Sequence, residues 1–245
     1  MRAFLERLTS RSVLSDVEQR KILALPAEPA HVGAARDFVR LGEVVDHASL
    51  IVEGLVARFD QTSAGNRQIT ALHIPGDVAN LQSVAQPSST SALQALCPVT
   101  LLRIPHDCLR ALAAESPAIA EAFWRDGIVD SSVLAQWIVN IGQRSARARI
   151  AHLLCEMGYR YGAASPGKVI FRLPMTQEHM AEATGITPVH VNRTLMSLRH
   201  DGVLIRHRTV YIDDWATLTE VADFDATYLQ AECEPRARLR LMPLH

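Results

Sequence analysis

The sequence predicts an α+β protein in which an antiparallel β-roll is followed by one long helix and a winged helix-turn-helix. Three observations predict this fold: short alternating segments from residue 38 to 108, then a heptad repeat, then two capped helices joined by a glycine turn. The expected regions are N-terminal helices and roll at 1–115, the long helix at 116–142, the winged helix-turn-helix at 143–213, and a tail at 214–245.

Positive charge is concentrated in one part of a nearly neutral chain. The 245 residues carry a net charge of −1, and 48% of them are apolar, which is enough for proper cores. Residues 143–211, however, contain ten Lys or Arg against four Asp or Glu, together with five of the ten His. A basic block in a neutral chain favours a polyanionic partner for that block.

The sequence has no pattern typical of export, membrane insertion or a metal ribbon. The N-terminal MRAFLERLTS lacks the continuous apolar segment of a signal peptide, and no apolar run approaches the ~18 residues of a membrane span. The cysteines are widely spaced and form no Cys-x-x-Cys pair, which gives no support to zinc ribbons or thioredoxin-type chemistry. We therefore expect a cytoplasmic, reducing setting. The cysteines are Cys97, Cys108, Cys155 and Cys233.

The N-terminal half changes from helical to alternating spacing. Residues 1–30 are expected to form short helices, because LSDVEQRKIL has helical apolar spacing. Short alternating segments then follow, separated by Gly, Pro, Asn and Ser clusters, as in an antiparallel roll. Gly54, Gly65 and Gly76 fall near the expected strand ends, where turns need them. The segments are DFVRLG, SLIVEGLVARFD, RQITALHIPGD, TSALQAL and PVTLLRIP.

A heptad repeat marks residues 116–142 as a long helix. Apolar or small residues recur at alternating steps of four and three, and this spacing favours the seam of a parallel homodimer. The alternative is a core helix packed against its own sheet, since the repeat is short and its middle residues are small. The seam positions are Ala120, Trp124, Gly127, Ser131, Leu134, Ile138 and Ile141.

The basic block has the spacing of a helix-turn-helix. ARARIAHLLCEMGYR (146–160) predicts an amphipathic helix and VIFRLP (169–174) a strand. Thr176 is placed to cap a helix that starts at Gln177, and Gly185 allows the positive φ of a sharp turn. Thr187 and Pro188 then predict the start of a second helix, because Pro is favoured at the first helical position. Ala181 and Val191 are the expected contacts between the two helices.

The second helix carries side chains suited to reading DNA. Arg193 can donate a bidentate pair to guanine, Asn192 can pair with adenine, and Val189 can touch a thymine methyl group. The alternative is a helical hairpin with a solvated basic face, but the spacing, the caps and the charge all favour DNA binding. The expected exposed face is Pro188, Val189, His190, Asn192, Arg193, Met196 and Arg199.

The segment LIRHRTVYIDD predicts a wing after the helix pair. Its alternation indicates a hairpin, with Arg206, His207 and Arg208 near the turn. Arginines at a turn suit phosphate contacts, which hold register without reading sequence.

These segments resemble the Crp–Fnr family of bacterial transcription regulators over nearly the whole length. HIPGDVANLQSVAQPSSTSALQALCPVTLLRIP looks like the cyclic-nucleotide-binding-like roll of the Fnr-type branch. MTQEHMAEATGITPVHVNRTLMSLRHDGVL looks like the family's DNA-reading motif. The resemblance implies a homodimer on an inverted-repeat site, with recruitment of RNA polymerase.

The roll departs from the members that bind cyclic nucleotides. Those members carry Gly-Glu and then Arg-Ser, whereas this chain has Gly76-Asp77 and Ser89-Thr90, with no Arg between Arg67 and Arg103. Cyclic AMP therefore has no strong cationic partner. On the long helix, the apolar residue Leu134 lies near the position that would contact the base of the nucleotide. Two hypotheses about regulation stay open. Either a small-molecule effector fills the roll beside Leu134, or the regulator has no effector. A pure ligand-sensor module is the alternative function.

The recognition helix and the cysteines depart as well. Well-known branches carry Glu two residues after the position of Thr187, where this chain has Val189, while Arg193 is kept. We therefore expect a different preferred half-site. The cysteines begin at Cys97, so the N-terminal iron–sulfur cluster of oxygen-sensing members is not expected.

Other chemistry has weaker support. His152 and Cys155 share a helix face, which is compatible with metal or redox sensing, but ordinary core and surface roles are favoured. His73 is better explained as a strand-end residue than as a heme ligand. No catalytic constellation is present, so we expect no enzyme activity, cofactor or metal.

Overall fold

The computed structural model describes residues 1–229. Its first two helices are α1 (Arg2–Thr9) and α2 (Asp16–Leu23), and a capping box between Ser15 and Glu18 starts the second. Phe4, Leu8 and Ile22 are buried beneath them. Both short helices were predicted.

The roll consists of two antiparallel sheets, which confirms the predicted class. One sheet has the order β1-β7-β3 and the other β2-β6-β4-β5. The interior is filled by the roll's own apolar side chains, including Ile51, Phe59, Ile69 and Leu72. The strands are β1 (Glu28–Val32), β2 (Arg36–Val39), β3 (His47–Glu53), β4 (Val56–Gln61), β5 (Arg67–His73), β6 (Ala92–Ala95) and β7 (Val99–Pro105).

Strand β1 corrects the expectation of helices up to residue 30. EPAHV has no clear alternation, but Glu28 pairs with Arg103 and Val32 with Val99 along the edge of β7. Sheet pairing with a distant strand therefore decides the conformation here.

Two helices follow the roll. Helix α3 (His106–Glu115) leads into α4 (Pro117–Gln143), the long helix that was predicted. Ser116 caps α4, and Pro117 occupies its first position. One face of α4 is buried through Ile119, Val129 and Trp137, so the helix is anchored to its own chain along that face.

A single break separates α4 from the C-terminal domain. Arg144 is extended (ψ 151°) and Ser145 caps α5 (Ala146–Arg160). Ile150, Leu154 and Met157 of α5 are buried in the domain core.

The C-terminal domain is a winged helix-turn-helix, as predicted. Helices α6 (Gln177–Thr184) and α7 (Pro188–Leu198) are followed by a short 3-10 turn at Arg199–Asp201. The strands β8 (Val169–Arg172), β9 (Val203–Arg206) and β10 (Thr209–Ile212) form a sheet of order β8-β10-β9.

The segment after residue 213 is not only a tail. Helix α8 (Trp215–Ala222) and a 3-10 turn at Ala226–Leu229 complete the described chain. A Cβ on Gly158 would lie 3.0 Å from the Trp215 ring, so glycine in α5 permits this close packing. Residues 230–245, with Cys233, lie outside the described residues. Among residues 1–229, none of the helices has the length and apolar character that a membrane span requires.

Candidate nucleic-acid interface

The start of α7 is fixed by the residues that predicted it. The Thr187 side chain accepts a hydrogen bond from the backbone N–H of His190 at 3.3 Å, and Pro188 follows as the first helical residue. Gly185 has φ 65°, and its N–H donates to the Ala181 carbonyl at 2.9 Å. This left-handed residue ends α6 and turns the chain into α7.

Helix α7 has a sharp division between a core side and an open side. Val191 and Leu198 are fully buried, whereas Val189 is 68% exposed and Met196 is 50% exposed. The open side contains every residue of the predicted exposed face. These are Pro188, Val189, His190, Asn192, Arg193, Met196 and Arg199, all exposed.

Helix α6, the first helix of the helix-turn-helix pair, contributes to the same surface through its N-terminus. Thr176 caps α6 by accepting from the His179 N–H at 3.1 Å. Gln177, Asn192 and Arg199 line one shallow cavity of about 110 Å³ between α6, α7 and β9. The structure thus brings these three residues together, although they are separated by up to 22 positions.

The wing tip has an unusual backbone. His207 and Arg208 connect β9 to β10 with φ values of 47° and 60°. A two-residue hairpin with positive φ at both positions usually has Asn-Gly, because other side chains are strained there. Arg206, His207 and Arg208 are all exposed at this tip.

Five arginines of the basic block are exposed and have no ion-pair partner among residues 1–229. Four are predicted from the sequence, whereas the fifth, Arg172, lies in strand β8 and is not. Arg172 pairs with Thr209 in the sheet, which places it beside the wing turn. The sequence signal for its exposure is the alternation of VIFR in β8, because every second side chain of this strand is exposed. The five are Arg172, Arg193, Arg199, Arg206 and Arg208.

Other basic residues of the same block are already paired. Arg144 contacts Asp223, Arg147 contacts Asp201, and Lys168 contacts Asp213. The unpaired cations therefore collect on α7, β8 and the wing, which gives one continuous candidate surface for phosphates and bases.

Two domain families match this chain in the order in which the domains occur. The cyclic nucleotide-binding domain matches residues 32–116, and the Crp-like helix-turn-helix domain matches residues 148–221. The chain belongs to the Crp/Fnr family of transcription regulators. It is accordingly a DNA-binding transcription regulator.

Relatives of known name agree with this membership. The chain is 26% identical over 202 residues to the transcriptional activator protein FnrL of Cereibacter sphaeroides, which is 79% of each chain. It is 24% identical over 198 residues to the nitrogen fixation regulation protein FixK of Azorhizobium caulinodans, covering 80% of this chain and 79% of that one.

Solved structures agree with the fold. The structure of FixK2 from Bradyrhizobium japonicum superimposes with a TM-score of 0.73 at 25% identity and covers 80% of this chain and 98% of that one. A CRP/FNR family regulator from Thermus thermophilus, at 19% identity, matches with a TM-score of 0.62 over 80% of this chain and 99% of that one.

The predicted dimer seam of this Crp/Fnr regulator lies on the open face of α4. Trp124 is 72% exposed and Ile138 64%, opposite the buried face of the helix. Gly127, Ser131 and Leu134 are also exposed. Ile141 is half-buried, since its side chain lies beside Gly185 of the helix-turn-helix.

The residues assigned to an effector pocket do not meet in one cavity. Gly76 and Asp77 line a cavity of about 220 Å³ between α1, β5 and α5. Leu134 instead lines an open cleft of about 780 Å³ between α4 and the turn at Leu81–Val84. Ser89 and Thr90 line neither cavity, because they lie in the loop before β6, where the Ser89 N–H donates to the Glu43 carbonyl.

Asp77 lines its cavity as a structural ion-pair partner, because both carboxylate oxygens are occupied. Its carboxylate accepts from Arg7 Nη1 at 2.6 Å and from Arg160 Nη2 at 2.6 Å. Burial alone raises the pKa of a carboxyl, but these guanidiniums outweigh burial and hold the pKa of Asp77 below its ordinary value. The segment around Asp77 lacks arginine in sequence, yet two arginines reach it from other elements.

The remaining titratable candidates are buried. Burial raises the pKa of the Cys155 thiol, which disfavours the reactive thiolate. Burial, and then the nearby Arg144 charge, lower the pKa of His152 to about 4, against the weaker opposite effect of Asp223. Burial and Arg58 likewise lower the pKa of His73 well below its ordinary value. Within residues 1–229, no group of three His, Cys, Asp or Glu side chains is arranged to hold a metal ion.

Proposed function

We propose that this regulator binds an inverted-repeat DNA site as a homodimer and activates transcription through contact with RNA polymerase. The observation that carries the proposal is the capped, exposed N-terminal half of α7. A protruding helix of this kind fits the major groove, which is about 12 Å wide and admits an α-helix.

Residues at the start of α7 have distinct roles in this proposal. Arg193 donates two hydrogen bonds to guanine, Asn192 pairs with adenine, and Val189 packs on a thymine methyl group. His190 lies on the same exposed turns. Each good bidentate contact contributes about 1–3 kcal/mol of discrimination. With Val189 in place of an acceptor, we expect a half-site that differs from those of the best-known relatives.

Residues around α7 hold the DNA without reading it. Arg206, Arg208 and Arg172 contact phosphates from the wing and β8, and Arg199 does so from the end of α7. The hydroxyls of Thr176 and Thr187 are occupied as caps, so these residues act by presenting the backbone N–H groups of the helix starts to phosphate.

The exposed seam of α4 supports the homodimer. Large apolar side chains such as Trp124 and Ile138 are rarely left together in water without a partner surface. Their heptad spacing matches a parallel pair of helices related by a two-fold axis. Such a dimer places two α7 helices in major grooves about 34–36 Å apart on one side of the duplex.

Activation is proposed by likeness to named relatives. FnrL is a transcriptional activator by name, and it matches most of this chain. Since DNA in a bacterial cell lies in the cytoplasm, we propose that compartment as the place of action.

The test is to disrupt the seam and compare paired with single half-sites. Ile138→Asp places a charge on the seam without removing a buried contact, and Val44→Asp is the matched control at an exposed loop residue of the roll (76% exposed). Using a site selected from random DNA, we expect Ile138→Asp to be monomeric in analytical ultracentrifugation and to lose its preference for two half-sites. A dimeric Ile138→Asp protein with unchanged preference refutes the seam.

Ligand sensing is the second candidate function, and the cleft beside Leu134 is the observation that favours it. This cleft of about 780 Å³ is mostly apolar in its lining and runs along the same face as the seam. We assign it to the dimer interface. Isothermal titration of the dimer with cyclic AMP and cyclic di-GMP distinguishes the two, since saturable binding supports a sensor.

A further inference from the structure

The junction between the roll and the DNA-binding domain is built around one buried carboxylate. Asp77 is 3% exposed and lies just after β5. Its Oδ2 accepts from the backbone N–H of Ile74 at 2.9 Å, which fixes the carboxylate in the roll. The same oxygen accepts from Arg160 of α5, while Oδ1 accepts from Arg7 of α1. Asp77 therefore joins three elements that are distant in sequence.

Arg160 ends α5 and reaches across the junction. Its Nη2 donates to Asp77 and also to the Leu72 carbonyl at 2.9 Å, while Nη1 donates to Glu156 of its own helix at 3.1 Å. Glu156 in turn accepts from the Trp137 indole N–H of α4 at 2.8 Å. The C-terminal end of α5 is thus tied to the roll and to the long helix by charge-assisted hydrogen bonds.

A second contact holds the other side of the DNA-binding domain. Gln68 of β5 donates from Nε2 to the Glu182 carbonyl of α6 at 2.6 Å. Arg67, stacked 3.7 Å over the Phe59 ring, lies 3.6 Å from the Glu182 carboxylate. A single contact would let the DNA-binding domain pivot on the roll, whereas two separated contacts fix the rotation of that domain.

These contacts supplement a weak covalent connection. The chain passes from α4 to α5 through only two extended residues, Arg144 and Ser145, and this link by itself leaves the domain free to rotate about the break. Helix α7 packs on α5 through buried Val191 and Leu198. The direction in which α7 points from the α4 seam is therefore set by the contacts that hold α5 and α6 on the roll, together with contacts to α4 such as Trp137–Glu156.

We propose that the Asp77–Arg160 and Gln68–Glu182 contacts set the distance and angle between the two recognition helices, and so determine the spacer length that the regulator accepts. The inference rests on the proposed homodimer on an inverted repeat. Adding one base pair shifts a half-site by about 3.4 Å and turns it by about 35°. A rigidly held domain cannot follow that change, whereas a released domain can.

The test measures affinity on inverted repeats with one half-site sequence and spacers changed by zero, one and two base pairs. Arg160→Met removes the cross-junction pair but keeps the aliphatic stem, and leaves Asp77 paired with Arg7. We expect the native dimer to prefer one spacer by about tenfold or more, and Arg160→Met to reduce this preference to about threefold or less. The preference for the half-site sequence itself should not change.

Two further variants separate positioning from general weakening. Arg160→Lys keeps the charge opposite Asp77 and should restore much of the spacer preference. Arg125→Met is the matched control, because Arg125 pairs with Glu121 within α4 at similar partial burial and does not cross to the DNA-binding domain. This control should have the native spacer profile.

Gln68→Ala tests the second contact and also serves if Arg160→Met does not fold. It should relax the spacer preference in the same direction, with circular dichroism used to verify native helix content. Full spacer preference in folded Arg160→Met or folded Gln68→Ala overturns the inference. A native protein without preference for paired half-sites refutes the homodimer proposal instead, so the two failures are distinguishable.

Discussion

Arginine has opposite environments at the roll junction and at the proposed DNA-facing surface. At the junction, Arg7 and Arg160 are half-buried and each contacts at least two carboxylates. On the surface, Arg193 and Arg208 are exposed and have no ion-pair partner among the described residues. The difference teaches that a cation is free for an external polyanion only where the fold has not already paired it. The local sequence around each arginine does not reveal which case applies.

The largest effect is expected from Asp77→Asn at the junction. This change removes the buried carboxylate that Arg7 and Arg160 share, and removing one partner of a buried ion pair costs about 3–5 kcal/mol. We expect the free energy of unfolding, measured with urea, to fall toward the lower end of that range, because Arg7 keeps Asp126 and Arg160 keeps Glu156. A loss below about 1 kcal/mol, typical of exposed pairs, contradicts the buried network.

The next largest effect is expected from buried His152, which should make stability depend on pH. His152 is 1% exposed, and its Nδ1 has no hydrogen-bond partner within residues 1–229. With a folded pKa of about 4, the unfolded chain binds a proton between pH 6.5 and 4 that the folded chain does not. Stability is therefore lost as the pH falls through that window, by roughly 3 kcal/mol.

The measurement is the pH dependence of unfolding in the native protein and in His152→Phe. Phe keeps a ring between Phe224 and Tyr228, which flank His152 in the native structure. The acid-side slope of unfolding free energy against pH should be smaller in the variant. Equal slopes in the native protein and His152→Phe contradict the buried neutral imidazole.

A smaller effect, but on binding, is expected from Arg193→Ala. Loss of a bidentate contact should cost about 1–3 kcal/mol on the preferred site and relax specificity at one base pair. Competition binding with single-base variants of a selected site measures this loss. Unchanged preference at every position shows that α7 is not the reading helix.

The smallest effect is expected from Arg208→Ala at the wing. A phosphate contact carries no sequence information, so affinity should fall by a similar factor on all sites. The slope of log affinity against log salt should decrease by about 1, which a salt titration detects. Arg172→Ala should behave alike. A loss of sequence preference in either variant indicates base reading by the wing.

The recognition helix was predictable because its signals are local. Thr187 and Pro188 cap and start α7, and Gly185 ends α6, all within five residues. Such signals act through backbone geometry over one turn of chain. The roll segments were found for the same reason, from alternation and turn residues.

The junction was not predictable because its partners are far apart in sequence. Asp77 meets Arg7 across 70 residues and Arg160 across 83. A segment without arginine was therefore interpreted as a roll without cations, although the fold supplies them from α1 and α5. Strand β1 and helix α8 were missed in the same way, since each is stabilised by packing on a distant element.

At the wing tip, the requirements of stability and of the proposed DNA contact conflict. His207 and Arg208 keep left-handed backbone conformations that cost about 1–3 kcal/mol each for residues with side chains. Redesign for thermal tolerance would replace them by His207→Asn and Arg208→Gly, which relieve the strain and also delete the exposed cation. Under the proposed phosphate contact of Arg208, selection for heat resistance alone therefore favours weaker operator affinity at this loop, and selection for tight operator binding favours the strained residues.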